Sequence, residues 1–201
     1  MMLTFVLIGI TVGVSLLAWQ RPQLFDALIY WPPAVRRGQW WRLITHGFIH
    51  ADGTHLLFNM ITLFFFGTAM ERMLVPHIGA AGFVLFYLIG ILVAILPSHL
   101  HHRHDYHYRS LGASGAVAAV LFAYILVQPW AMLLVMFLPM PAIIFAAIYI
   151  GYSLWAGRHA HDNINHGAHL GGAAWGVSFM LLLEPRLLPR FLEQLASPPG
   201  L

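Results

Sequence analysis

Six runs in this chain come close to the roughly 20 apolar residues that a helix needs to cross a bilayer. They are 1–19, 55–74, 80–97, 114–127, 132–155 and 166–183. Pro22, Pro32, Pro33, Pro76, Pro97, Pro129 and Pro185 fall at or just outside their ends, where helices stop. Pro139 and Pro141 fall inside the fifth run and are expected to kink it. With 60% hydrophobic and 8% charged residues among 201, such a chain could not stay dissolved as a globular domain. The sequence therefore predicts an all-α polytopic membrane protein forming one domain over 1–201. The apolar start lacks a basic leader and a clear cleavage site, and reads as a retained first span.

Composition removes several chemistries. There is no cysteine, so thiol catalysis and thiolate metal ligation are excluded. There is no lysine either, which leaves no side-chain amine for a Schiff base. The net charge of +3 rests on arginines scattered through the loops with no basic stripe, so nucleic acid is not an expected partner. The connection over 20–53 is too long and too apolar for a solvated loop. Its Trp31, Trp40 and Trp41, with Arg36, Arg37 and Arg42, read as an interfacial segment, indoles at headgroup level and guanidinium groups reaching water or phosphate.

Three stretches carry candidate chemistry. Leu111-Gly112-Ala113-Ser114-Gly115 sets a serine between small residues, where a bulky acyl group can approach its hydroxyl. From Ser114 to Gln128 a helix covers only about 22 Å of a core near 30 Å thick, so Ser114 is expected to lie below the membrane surface. The N–H groups at such a recessed helix start would stabilise an oxyanion. The sixth run supplies a base, His169, followed on the same face by Gly172 and Gly176. Together with Gly115, Ala118 and Ala119 of the fourth run, these small residues allow two helices to approach closely and bring His169 to Ser114. In the third stretch, His46 through Asn59, the pairs His46/His50 and His55/Asn59 are each four apart and would share a face if helical. Asp52-Gly53-Thr54 reads as a cap that places His55 and Asn59 in the first turns of the second span. Polar groups facing inward there are expensive and point to function. His46 and His50 read equally well as a polar clasp between helices.

In order, spacing and span placement, these stretches (W-R-x-x-x-H-x-x-x-H-x-x-x-x-H-x-x-x-N, then G-x-S-G, then A-H-x-x-G-x-x-x-G) resemble the rhomboid intramembrane serine proteases. The resemblance runs from Trp41 to Gly176. It implies a six-helix bundle with a cavity opening to the non-cytoplasmic side, both termini being cytoplasmic, and a Ser114–His169 dyad with no acidic third member. It also implies an oxyanion hole from His55, Asn59 and the Ser114 backbone N–H, and substrate-backbone access at Gly112. Trp41, Arg42, His50 and Glu71 match its structural positions. Expected partners are transmembrane protein substrates and the lipid bilayer, and no cofactor or metal is expected. One departure concerns the base: some members place a tyrosine one turn after the serine, stacked on the histidine, where this chain has Ala118. The imidazole must then be oriented otherwise, by packing against the fifth span.

The arginines distribute against the positive-inside tendency in that orientation, since Arg21, Arg36, Arg37, Arg42, Arg103, Arg109 and Arg158 fall outside. Compactness suggests a bacterial inner membrane. Two other functions compete. Thirteen histidines, including the run at 99–107, could serve a membrane metal transporter, but no acidic residue lies inward along a span. A non-catalytic rhomboid-like protein that binds membrane clients would typically have lost the serine or the histidine, and both are present.

Overall fold

The computed structural model describes residues 1–135, 138–159 and 164–198. The chain is mostly helical. Helix α1 (Met2–Gln20) leads into a run of short helices, α2 (Pro22–Leu28), α3 (Pro32–Arg36) and α4 (Arg42–Thr45). Prolines start α2 and α3, where a missing N–H costs nothing. A 3-10 turn over His46–Phe48 ends this segment, and Ile49 is extended, so His46 and His50 do not share a helical face. Arg42 departs from the interfacial expectation. Its guanidinium is buried and donates to the carbonyls of Asp26 and Ile29 and to Gln39 Oε1 at 2.6–2.7 Å, stapling the loop from inside.

Helix α5 (Gly53–Thr62) starts where Asp52 Oδ1 accepts the His55 N–H at 2.8 Å, the cap expected from the sequence. It continues through one π turn (Leu63–Gly67) into α6 (Thr68–His102). Pro76 and Pro97 both lie within α6 and not beyond its end. The break falls at Gly79, whose φ of 72° suits only glycine, and it divides α6 into two rods. The helices Met2–Gln20 and Gly53–His102 are long and apolar enough to cross a membrane.

Helix α7 (Ser114–Val127) is the centre of the molecule: 11 of its 14 residues are buried. A helix apolar on every side has no solvent face and must be surrounded. Helices α6 and α9 (His166–Leu183) enclose it, with the core running through Leu63, Phe83, Phe86, Ile91, Val120 and Met180. The fifth run departs from the sequence reading. Residues 132–135 and 138–141 pair as an antiparallel two-stranded ribbon, β1 (Met132–Val135) with β2 (Leu138–Pro141), matching Met132 with Pro141 and Leu134 with Pro139, while 136–137 lie outside the described residues. The two prolines thus lie in a strand, and α8 (Ala142–His159) begins just after them instead of being kinked by them. A final helix, α10 (Leu187–Ala196), buries none of its residues.

Candidate active site

Two helices place the central pair. On α9, Gly172 and Gly176 face the backbone of α7 directly: a Cβ at the first would collide with the carbonyl of Gly115, and at the second with that of Ala119. Gly115 is equally constrained, with Ala94 Cβ and the Ala168 carbonyl against it. Four small residues thus let two helix backbones touch, and side chains one turn above the contact must meet. His169 Nε2 lies 2.8 Å from Ser114 Oγ. Ser114 is the first residue of α7, so its N–H is among those that a helix cannot pair internally.

The flanking loop is fastened to the same place. Gly112, with φ 110°, donates its N–H to the His46 carbonyl at 2.9 Å. A Cβ at Gly112 would meet the His55 ring at 2.7–2.8 Å, so glycine here is what admits that imidazole. The Ala113 N–H donates to His50 Nε2 at 3.3 Å, which requires the proton on Nδ1, and Nδ1 in turn donates to Ser15 Oγ at 3.1 Å. Ser15 Oγ donates onward to the Phe48 carbonyl. Burial holds this loop's imidazoles neutral, pulling His46 down to about 4 and His50 to about 3, with His55 adding to the effect at His50. A protonated His50 could not accept the Ala113 N–H, so neutrality is part of the fastening.

From α5, His55 lies against this loop, and Asn59 is buried one turn further along the helix. The His55 ring packs edge-on against His50 at 4.9 Å, and Asn59 Nδ2 donates to the His55 carbonyl at 2.9 Å, which fixes the amide's rotamer on the inner face. A cavity of about 10 Å³, room for one water molecule, lies behind Ser114 among His46, Ser110, Gly112 and Asn165. The supporting positions fall further out. The Trp41 indole donates to the Ala27 carbonyl, and the Glu71 carboxylate accepts the N–H groups of Leu3 and Thr4 and the Thr4 hydroxyl, pinning α1 to α6.

Two residues of this neighbourhood were not singled out from the sequence. Asn165 caps α9: its Oδ1 accepts the Ala168 N–H and the Ser98 hydroxyl, while Nδ2 donates to Tyr108 and Ser110. An asparagine three residues before Ala168, at the head of an apolar run, is the sequence signal of such a cap. The other is Tyr149 of α8, whose ring stacks on His169 with centroids 5.9 Å apart and planes 26° from parallel. Nothing local to Tyr149 marks it, because the contact joins residues from separate helices. The histidine run at the end of α6 leaves His102 stacked on Tyr108 and paired with Asp105. Among the described residues, no three histidines, cysteines or carboxylates are grouped to hold a metal ion.

The comparisons with known proteins agree with this architecture. The Rhomboid domain family matches residues 37–186. RHOMBOID-like protein 12, mitochondrial, of Arabidopsis thaliana is 37% identical over 151 residues, which cover 69% of this chain and 45% of the relative. Rhomboid protease GluP of Bacillus subtilis is 32% identical over 144 residues, covering 71% and 26%. Rhomboid-related protein 3 of Homo sapiens is 30% identical over 197 residues, covering 92% and 46%. The chain spans less than half the length of each of these relatives. With three quarters of its residues inside the matched domain and a serine held to a histidine across a glycine seam, the chain belongs to the rhomboid family.

Proposed function

We propose that this chain is a serine endopeptidase that cuts peptide bonds in or next to the transmembrane segments of other membrane proteins. Rhomboid proteins are integral membrane proteins, and relatives named as rhomboid proteases place proteolysis within the family. The finer reading rests on one observation, the 2.8 Å approach of His169 Nε2 to Ser114 Oγ from helices that share nothing in sequence. In this reading His169 takes the hydroxyl proton through Nε2 as Oγ attacks the scissile carbonyl carbon. The resulting oxyanion would be met by the Ser114 N–H, the Asn59 amide and His55. Collapse breaks the C–N bond as His169 returns the proton to the leaving amine, and a water then hydrolyses the acyl ester by the same route.

The same proposal takes the helices as a six-span bundle in one domain, with α7 sunk in its middle and the serine opening to the non-cytoplasmic side. Its relatives come from mitochondria as well as from a bacterium, so the comparisons do not favour the bacterial inner membrane suggested by compactness. The test is labelling of the detergent-solubilised chain by a fluorophosphonate, with the modified residue read by mass spectrometry, alongside single-span substrates whose cut sites are mapped. Labelling at Ser114 that disappears in both Ser114→Ala and His169→Ala, and cleavage that disappears with it, is the expected result. Capture of single-span clients without labelling or cleavage would assign the fold to a binding role instead.

A further inference from the structure

Three of the arginines that run against the positive-inside tendency are gathered by the fold into one patch. Arg109 Cζ lies 4.5 Å and Arg37 Cζ 5.1 Å from the centroid of the Trp31 ring, and Arg36 Cζ lies 5.4 Å from that of Tyr106. Trp31 Nε1 donates to the Tyr106 carbonyl at 3.0 Å, so both rings belong to one surface. Like charges brought together in this way repel unless an anion neutralises them. Among the described residues, no carboxylate lies within ion-pair distance of Arg36, Arg37 or Arg109. Asp105, in the same loop as Arg109, is taken by His102 at 3.6 Å and by the His107 N–H at 2.8 Å. The crowding reaches the buried Arg42, whose pKa is lowered first by burial and then by the Arg109 and Arg37 charges, with Asp26 offsetting part of this.

Stacking on an aromatic ring occupies the face of a guanidinium and leaves free its N–H edge, the edge that pairs with phosphate oxygens. All three arginines are exposed. Arg37 spends Nε on the Pro33 carbonyl and Arg36 one N–H on His104 Nδ1, while Arg109 donates to no acceptor among the described residues. The level of the patch is set by Trp40 and Trp41 of the same segment, 62% and 51% exposed, which in an integral membrane protein marks the headgroup region. The anion available at that level is the phosphate of an acidic lipid.

We propose that Arg37 and Arg109, stacked on Trp31 and flanked by Arg36, form a binding site for the phosphate of an anionic phospholipid headgroup. The proposal rests on the membrane placement in the function proposed above and not on the chemistry of Ser114. Tyr30 and Ser110, the residues beside Trp31 and Arg109, exchange backbone hydrogen bonds at 3.0 and 3.2 Å, and the Ser110 hydroxyl accepts from Asn165. A headgroup held across that bridge ties the first loop to the segment leading into Ser114, and so stabilises the fold as any ligand of the native state does.

The test titrates the purified, lipid-free chain in detergent with phosphatidylglycerol or phosphatidylcholine. Bound lipid is counted by native mass spectrometry, and unfolding is followed on heating. Arg37→Gln, Arg109→Gln and the pair are compared with Arg158→Gln, which removes the same charge from an exposed position elsewhere. Phosphatidylglycerol is expected to be retained over phosphatidylcholine and to raise the unfolding temperature. Each single variant is expected to lose about 5–10-fold in affinity and the pair about 30-fold or more. Arg109→Lys, which keeps the charge without the planar stack, should fall between, and Arg158→Gln should change by under about 2-fold. Where the glutamine pair does not fold, Arg37→Lys and Arg109→Lys carry the comparison.

Equal retention of the two lipids overturns the proposal, and so does an equal loss in Arg158→Gln. Equal protection by inorganic phosphate at millimolar concentration overturns the lipid assignment and leaves a site for a soluble anion. Variants that keep the lipid but cleave only acidic substrates more slowly would assign the patch to substrate carboxylates, again against the proposal. The same titration on Ser114→Ala should give the same affinities, so failure of the protease reading leaves this result standing.

Discussion

The α7–α9 seam and the α8 wall meet at the same histidine and are built on opposite principles. In the seam, glycine faces peptide carbonyl with no side chain between, and no methyl group can be added without moving a helix axis. In the wall, rings set among small residues make the contact, Tyr149 on His169 and Tyr152 on His166, while Ile144, Ile148 and Trp155 are exposed. The seam fixes the distance between serine and histidine, while the wall lays an aromatic ring beside the imidazole. A rigid element is suited to the first task, since a lost ångström there removes the hydrogen bond altogether.

The largest difference between the two regions should appear on adding a single methyl group. Gly172→Ala and Gly176→Ala drive a Cβ into α7 backbone and are expected to destabilise by about 2–3 kcal/mol or more, with activity lost in parallel; thermal unfolding in detergent and probe labelling measure both. Retained activity in Gly172→Ala would show that the seam can spread and is no more rigid than α8. Next in size, Asn59→Ala is expected to lower cleavage by about 100-fold while shifting the unfolding temperature less than the seam variants do, because it truncates one buried side chain and its hydrogen bond without driving atoms into backbone. A parallel loss of stability would place Asn59 with the seam as structure.

Acid should act on the fastening loop before it acts on the seam. His46 and His50 sit at about 4 and about 3 in the folded chain, against an ordinary imidazole value of 6.5. The unfolded chain therefore binds more protons between these values, so the stability these groups contribute is complete above about pH 6.5 and is lost as pH falls toward 4 and 3. His50→Asn, which cannot take up that proton, should flatten the decline in unfolding temperature over this window; an unchanged slope would remove His50 from the account. The smallest effect is expected on α8. Gly151 has open space where a Cβ would be, and Gly151→Ala should stabilise by about 0.5–1 kcal/mol with labelling unchanged. A loss of activity there would mean that α8 is packed as tightly as the seam.

Much of the site could be read from the chain because its parts are local. Ser114 at a helix start, the Asp52 cap, and glycines three and seven after His169 are all patterns within one turn or two. The strand pair 132–135 and 138–141 could not be read this way, since an uninterrupted apolar run has no period that separates strand from helix. Its prolines do not kink a helix but mark a two-stranded ribbon in which every strand is an edge and a missing N–H is tolerated. Arg42 was misplaced for a similar reason: a guanidinium beside two tryptophans suggests the interface, whereas three acceptors from Asp26, Ile29 and Gln39 make burial affordable.

By itself the sequence determined that the chain is helical and apolar, where α7 and α9 begin and end, and which serine and histidine have small residues beneath them. Those properties follow from hydropathy, capping and spacing, which act over a few residues. Only the tertiary structure decided that the two side chains meet at 2.8 Å, that His55 lies over Gly112, and that Tyr149 covers His169. Such contacts join residues tens of positions apart, and their geometry is set by how closely whole helices can pack, a quantity that no single stretch of chain contains.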